Sequence, residues 1–520
     1  MRVDPKRSGW RLEILLVIGL LVAALEVRRL AAERTAFDSD EAVQGLMAKH
    51  IAEGRHFPLM EYGSSHHGAL GSYFVALLFR WTGRRSVALL RFYGIGIWMA
   101  AAILLYLTAR CRFGRVAAFF TLILFCFPSI EVLRAAVKMY PGQAETQLVI
   151  SALLYWVLGL RRESRRQSRL DFPAGFLMGL ILWLTPAALP GIFCIWVYSV
   201  YQSGREKSIW EWIKKKIKLF LGFLLGYSPV FLYHLFHRNT ALLGFLTQSV
   251  PTLRSASDRV LILVLRGLAD FLGLTSQEDG DPSRWMVGLL LYLGLLALLF
   301  IAIRRNERRA WDKPMMLFLI SYVALYLALL LIPRWNLSLE VTPRYLFPTI
   351  PPLVLFLGSS LAWKRGQWIA VKCGIIAGFW FWIWSPYPGD LQQDYLARDR
   401  LLVEALQSRG VTHLLADYWT AYKVVFLSDE RIIASPQGGP IVVDRYPAYT
   451  DQVFASPSPA YLLIKIRVGD LTPVERLREF LMKKQYKFFN EDYDGLSLFW
   501  KIEPKVLPSE AGLVRFGDIR

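Results

Sequence analysis

Long apolar runs joined by short polar connections fill the first three quarters of the chain, and near residue 385 the pattern changes to short alternations. Runs close to the roughly 20 residues that a helix needs to cross a bilayer fall at about 12–30, 86–109, 116–130, 144–160, 172–186, 187–202, 217–237, 285–303, 314–332, 345–362 and 367–384. They predict an α-helical polytopic membrane protein of about eleven transmembrane helices. Gly68 to Trp81 is apolar but only about 14 residues long, which suits an interfacial helix better than a span. Phe172 to Gln202 is continuous, and Thr185-Pro186 and Pro190-Gly191 within it supply a break, because proline removes a helix hydrogen bond and clashes with the preceding turn. Two short legs are expected there. The stretch FDSDEAVQGLMAKHIAEG, Phe37 to Gly54, predicts an amphipathic helix with Ala42, Val43, Leu46, Met47, His50 and Ile51 on its apolar face. Beyond residue 385, Leu401 to Ser408 reads as helix, while VTHLLAD, YKVVFL, YLLIKI and LSLFW read as strands. That tail is long enough for a small α/β core of its own. The expected organisation is a transmembrane domain over residues 1–384, with residues 31–85 as its first outer loop, and a C-terminal domain over residues 385–520.

Composition agrees with a membrane class: 54% of the 520 residues are hydrophobic and 14% aromatic, and mean hydropathy is +0.35. The formal charge of +20 would suit a nucleic-acid surface if it were clustered. It is scattered between spans instead. Residues 1–11, 110–115, 161–170, 203–218, 304–313 and 363–372 hold 26 Lys+Arg against 6 Asp+Glu, whereas residues 385–520 hold 17 against 18. Basic short loops are the mark of the cytoplasmic side. The N-terminus is therefore expected in the cytoplasm of a plasma or inner membrane, with residues 31–85, 238–284 and the C-terminal domain extracytoplasmic. No small-residue cleavage site stands out after the first apolar run. Cys111, Cys126, Cys194 and Cys373 have neither disulfide nor zinc spacing.

Polar residues on the expected outer side form three groups. The first is Asp38, Asp40 and Glu41, followed by EYGSSHHG with Glu61, Tyr62, His66 and His67. The second, IEVLRAAVKMYPGQAETQ, carries Glu131, Arg134, Lys138, Tyr140 and Glu145, and the third, PRWNLSLEVTPRYLFP, carries Arg334, Glu340, Arg344 and Tyr345. Acids held at a bilayer surface are costly unless they do something. Carboxylates from one loop and cations from two others suit group transfer from a phosphate-bearing donor, the acid removing a proton and Arg or Lys neutralising a departing phosphate. Each group also has a plainer reading. Asp40 and Glu41 serve equally as first-turn acids at a helix N-terminus. His66 and His67, adjacent in sequence, read as interfacial or hydrogen-bonded histidines before they read as metal ligands. Lys138 and Arg344 would serve as snorkelling anchors, and Tyr140-Pro141-Gly142 as a turn.

An N-terminal span, an outer loop with an Asp-Glu pair, an interfacial helix after a YG…G stretch and a later R-Y-x-x-P together resemble the GT-C glycosyltransferases. The likeness is to the polyprenyl-phosphate-mannose protein mannosyltransferase group and the aminoarabinose transferases of lipid A. It covers roughly residues 10–365 and is densest over 37–92. The resemblance implies that Asp40, with Glu41 beside it, lies at the active site. Many bacterial relatives read YGQ-x-Y-x-G-x-L-E after the acidic loop, whereas this chain reads YGSSHHGALG, with His66 at the usual aromatic position and Gly71 at the usual acid.

The resemblance therefore implies an inverting transferase, acting on the extracytoplasmic side, that takes its sugar from a polyprenyl-phosphate-linked donor and gives it to a lipid, glycan or protein acceptor. On that reading Asp40 is the base and Glu41 orients the acceptor or a metal. Lys138, Tyr140, Arg344, Tyr345, His66, His67 and Glu145 then bind the donor phosphate and substrate. No cofactor is certain, although a Mg²⁺ or Mn²⁺ bridging Asp40 or Glu41 to a donor phosphate would fit the chemistry. Membrane lipids are expected partners and nucleic acid is not. A lipid or sugar transporter without transfer chemistry is the alternative, expected to show internal repeats and polar residues at mid-membrane; no repeat is visible in the chain. An assembly scaffold using the tail for partner binding is the third reading.

Overall fold

A computed structural model of the protein describes residues 5–160, 164–202, 209–237, 255–263, 313–329, 331, 343–361, 394–437, 443–465, 472–493 and 495–513. The chain forms two compact units. One comprises Met1–Ala32, His66–Gly68 and Phe92–Pro388, and the other Glu33–Ser65, Ala69–Arg91 and Gly389–Arg520.

The described residues of the first unit are mainly helical. Val87–Arg112, which begins in the second unit, and Lys216–Phe236 are each long and apolar enough to cross a membrane. Arg115–Cys126 and Ile130–Val137 make a third crossing if the pair, bent by 73°, is one broken span. The described residues thus do not reach the predicted eleven spans. The run at 116–130 stops short because Pro128 cannot continue a helix, so the chain turns after Cys126. The predicted spans 285–303 and 367–384 lie outside the described residues. The break within 172–202 falls where the prolines put it. One helix ends at Leu184, Pro186–Ala188 forms a 3-10 turn, and the next helix starts at Leu189 with Pro190 tolerated in its first turn.

Two features tie this unit together. Arg28, fully buried in the N-terminal helix, donates to the backbone carbonyl of Cys126 and, at 3.5 Å, to that of Phe125. It thereby satisfies the open C-terminal end of the Arg115–Cys126 helix, and its guanidinium also lies 5.4 Å over the Trp98 ring. The second feature is a pair of glycine stripes. GFLMG on Ser164–Leu184 meets GFLLG on Ile209–Phe236. A Cβ on Gly175, Gly179, Gly222 or Gly226 would fall 1.9, 2.2, 2.1 or 2.2 Å from a carbonyl oxygen of the facing helix. Small-xxx-small spacing lets two backbones touch, which drives helix association where lipid removes the hydrophobic incentive.

The second unit contains a five-stranded sheet: β1 (His413–Ala416), β2 (Ile433–Pro436), β3 (Ala460–Ile464), β4 (Lys487–Tyr493) and β5 (Leu496–Glu503), in the order β2-β1-β3-β5-β4. β1 pairs parallel with β2 and β3, while β5 pairs antiparallel with β3 and β4. Leu415, Tyr461, Leu463, Leu477, Leu481 and Phe499 are among the buried residues of its core. Three of the four predicted strands appear. The fourth, YKVVFL, is instead part of a helix, Tyr418–Leu427. Asp417 starts it, its side chain accepting from the Trp419 amide at 2.9 Å, and this capping outweighs the β preference of Val424-Val425.

The predicted helix at Phe37–Gly54 exists as Ser39–Ala52, but it is not one-faced: every residue from Ser39 to Ile51 is buried. Its polar side lies against the C-terminal segment within the same unit. Ser39 Oγ donates to the Tyr418 carbonyl at 2.5 Å, and Phe37 packs 5.6 Å from Phe426. Gly45 has no Cβ because one would meet the Phe426 ring at 2.5 Å. Lys49 pairs with Asp429 at 2.6 Å and Glu430 at 2.9 Å.

Candidate active site

Asp38 is the N-cap of the Ser39–Ala52 helix, its carboxylate accepting from the Glu41 amide at 3.0 Å. That places Asp40 and Glu41 in the first turn, where the helix dipole favours anions. The two acids then part company. Glu41 is wholly buried, and Arg91 closes on both its oxygens, Nε at 3.0 Å and Nη2 at 2.8 Å. Arg91 also donates to the Thr35 carbonyl at 2.9 Å, so the pair fastens the entry into the helix.

Asp40 faces a different group. Tyr418 donates its hydroxyl to Asp40 Oδ1 at 2.6 Å. Arg445 Nε donates to the same phenol oxygen at 3.2 Å, and Arg445 Nη2 lies 3.7 Å from Asp40 Oδ1. Arg445 Nη1 is 4.0 Å from Glu61 Oε2, while Glu61 Oε1 accepts from the Gln44 amide at 2.9 Å and Gln44 in turn accepts from Ser72 at 2.8 Å. Burial works against the Arg445 cation, yet Glu61, Tyr418 and Asp40 together push its pKa above the usual arginine value. Burial and the neighbouring Asp40 raise the Tyr418 phenol, which stays protonated and able to donate. Glu41 spends its oxygens on Arg91, a guanidinium already faces both Asp40 and Glu61, and no cluster of three or more candidate metal ligands occurs among the described residues.

The predicted cations assemble in the first unit. Lys138 ends the Ile130–Val137 helix, and Tyr140 opens the turn to the Gln143–Leu154 helix, a turn that Gly142 completes at φ +65°. Arg344 and Tyr345 lie on the 3-10 stretch Pro343–Thr349. The Arg344 guanidinium sits 4.5 Å over the Tyr140 ring and 5.4 Å over Tyr345, and Lys138 Nζ is 5.6 Å from the same Tyr140 ring. Two cations gathered on one aromatic ring are a receptive arrangement for an anion. Glu145, buried in the first turn of its helix, accepts from the Tyr93 hydroxyl at 2.8 Å. His66 and His67 are partly buried, with ring centroids 4.3 Å apart.

Tyr418, Arg445 and Arg91 are the residues of these surroundings that sequence reasoning did not select. Tyr418 lies 378 positions from Asp40, and no local spacing reports so distant a pairing. Arg91 lies 50 positions from Glu41.

No protein-family model matches the chain, and neither does any curated protein. Among solved structures, the chain shares its fold with ArnT from Cupriavidus metallidurans, an aminoarabinose lipid A transferase of the GT-C superfamily. The structure bound to undecaprenyl phosphate superposes with a TM-score of 0.61 at 13% identity, over 95% of this chain and 98% of that one. The apo structure gives 0.61 at 12% identity with the same coverage. The Archaeoglobus fulgidus oligosaccharyltransferase AglB, in complex with an inhibitory peptide and a dolichol-phosphate, reaches 0.48 at 12% identity over 95% of this chain and 74% of that one, a likeness too loose to argue from. The chain thus has the fold of ArnT.

Proposed function

We propose that the chain is a membrane glycosyltransferase that moves a sugar from a polyprenyl-phosphate-linked donor to a lipid, glycan or protein acceptor on the extracytoplasmic side, with inversion. The observation that carries this reading is the setting of Asp40. It is an acid at a helix start, 7% exposed, with one oxygen held by Tyr418 and a guanidinium beside it, in a chain with the fold of ArnT. A general base must be anchored before attack, and the Tyr418 hydroxyl and the Arg445 guanidinium anchor this one.

In the proposed step an acceptor hydroxyl loses its proton to Asp40, at a lone pair that Tyr418 does not use. Its oxygen forms a bond to the anomeric carbon as the bond from that carbon to the phosphate oxygen breaks. The electron pair departs with polyprenyl phosphate. The phosphate-binding part of the proposal is the cation cluster of the first unit, Lys138 and Arg344 gathered on the Tyr140 and Tyr345 rings, where a guanidinium fork suits two phosphate oxygens at once. Glu41 acts through Arg91, shaping the helix entry rather than touching a substrate. His66, His67 and Glu145 complete the proposed substrate-binding residues.

The test is the purified chain in liposomes supplied with a panel of undecaprenyl-phosphate pentoses and hexoses, reading release of undecaprenyl phosphate. Asp40→Asn is expected to lose about 10²- to 10⁴-fold in turnover, the usual worth of a general base, while still binding donor. Wild-type turnover by Asp40→Asn would refute the assignment. Donor crossing the bilayer without cleavage would favour the transporter reading.

A further inference from the structure

The C-terminal segment reaches the proposed base at two points. Tyr418 grips consecutive residues of the acidic helix, its carbonyl accepting from Ser39 and its hydroxyl donating to Asp40. Arg445 holds that hydroxyl from the other side and faces the carboxylates of Asp40 and Glu61.

Arg445 is itself built into place. The Tyr422 hydroxyl accepts from its backbone amide at 2.6 Å and from that of Tyr446 at 3.2 Å. Gly63, at φ +64°, lies where a Cβ would come 2.7 Å from the Arg445 Cα, so the first-loop backbone leaves room for this arginine. Its backbone is thus pinned from one side and accommodated from the other, and its side chain ends between two acids.

We infer that Arg445 and Tyr418 are the positioning residues of the transfer base, fixing the Asp40 carboxylate and supplying the positive charge that a divalent cation would otherwise bring to Asp40 and Glu61. The inference rests on Asp40 being the base, as proposed above. A phenol hydroxyl on one carboxylate oxygen sets its rotation, and small errors in the aim of a reacting group are expensive. One guanidinium facing two carboxylates offsets the repulsion between them. The C-terminal segment is then a working part of the transfer site.

The experiment uses the full chain in liposomes with whichever undecaprenyl-phosphate sugar supports turnover. Tyr418→Phe and Arg445→Ala should each lower kcat by roughly 10- to 100-fold, the scale of a misplaced reacting group, with donor KM nearly unchanged. Guanidinium added to Arg445→Ala should restore part of the rate. In an Asp40→Asn background neither substitution should lower the residual rate further, because residues acting as a unit are non-additive. EDTA should leave wild-type turnover intact. If Arg445→Ala fails to fold, Tyr418→Phe and Gly63→Ala carry the test, the latter displacing Arg445 without altering any charge. Fully additive losses, a change confined to donor KM, or a rate abolished by EDTA and restored by Mg²⁺ would overturn the inference. Normal turnover in Arg445→Ala with a dead Asp40→Asn would sink the inference alone, whereas normal turnover in Asp40→Asn would sink the reading beneath it.

Discussion

Arg91 closes on both carboxylate oxygens of Glu41, at 3.0 and 2.8 Å, and neither side chain is more than 3% exposed. A buried pair of this kind is weak evidence of stability as a whole, but removing one partner strands the other charge at a cost of about 3–5 kcal/mol. Glu41→Ala is therefore expected to lower yield in the membrane and thermal stability in detergent, and Glu41→Gln to do so less. The molecules that fold should turn over near the wild-type rate. A well-folded Glu41→Gln protein without turnover would instead make Glu41 a participant in the chemistry.

The cation cluster makes a different prediction. Arg344 stacks 4.5 Å over Tyr140 and 5.4 Å over Tyr345. Arginine and lysine are not interchangeable at a stacked or bidentate site. Arg344→Lys should therefore raise the donor KM or lower kcat by roughly tenfold, about 1.4 kcal/mol, despite keeping its charge. Turnover and donor affinity unchanged in Arg344→Ala would reduce the residue to an interfacial anchor.

What was legible in the sequence follows how local each cause is. Pro186 ends a helix through its own ring, so the break after Leu184 could be read directly. The strands around Leu414, Leu462 and Leu498 announce themselves by apolar runs between turns. YKVVFL misled because β-branched residues were weighed and the Asp417 cap was not. The acidic helix read as amphipathic because Lys49 and His50 find their acid, Glu430, some 380 residues away. Asp40 could be nominated from its place beside a span, but nothing near it in sequence names Tyr418 or Arg445.

Topology yields a prediction from charge alone. The loops holding 26 Lys+Arg against 6 Asp+Glu should be cytoplasmic, and the near-neutral C-terminal segment should lie outside. A cysteine placed at Ser164 should react with a membrane-impermeant thiol reagent only from the cytoplasmic face, and one at Ser458 only from the other. Reaction of both from the cytoplasm would remove the extracytoplasmic site.

The glycine stripes predict where the helical unit is least tolerant. A Cβ at Gly179 would stand 2.2 Å from the Phe223 carbonyl, and one at Gly226 2.2 Å from the Phe176 carbonyl. These are backbone atoms, which cannot swing aside as a side chain would. Overpacking typically costs about 1–3 kcal/mol, and Gly179→Leu should reach or exceed the top of that range, read as a lower unfolding temperature in detergent. Gly19, where a Cβ meets nothing within 4 Å, should accept leucine without loss. Equal tolerance at the two positions would mean that the stripes do not meet.

Glu430 predicts how the second unit responds to acid. Burial alone would raise its pKa, but His50, Arg55, Lys49 and Tyr449 all bond to it and together hold it far below the ordinary 4.5. Their contacts include 3.1 Å to His50, 2.9 Å to Lys49 and 2.7 Å to Tyr449. A carboxylate with a depressed folded-state pKa contributes stability that is present above its unfolded value and lost as pH falls toward the folded one. The contribution should thus be complete at neutral pH and decline below about 4.5. Glu430→Gln should lower stability at neutral pH by about 1.5–3 kcal/mol, the worth of a hydrogen bond to a charged group. The wild-type advantage over this variant should shrink as acid protonates Glu430. Thermal unfolding of both proteins in detergent from pH 7 downward reads that difference directly. A gap that stayed constant or widened on acidification would mean that Glu430 is not held as an ion by His50, Lys49 and Arg55.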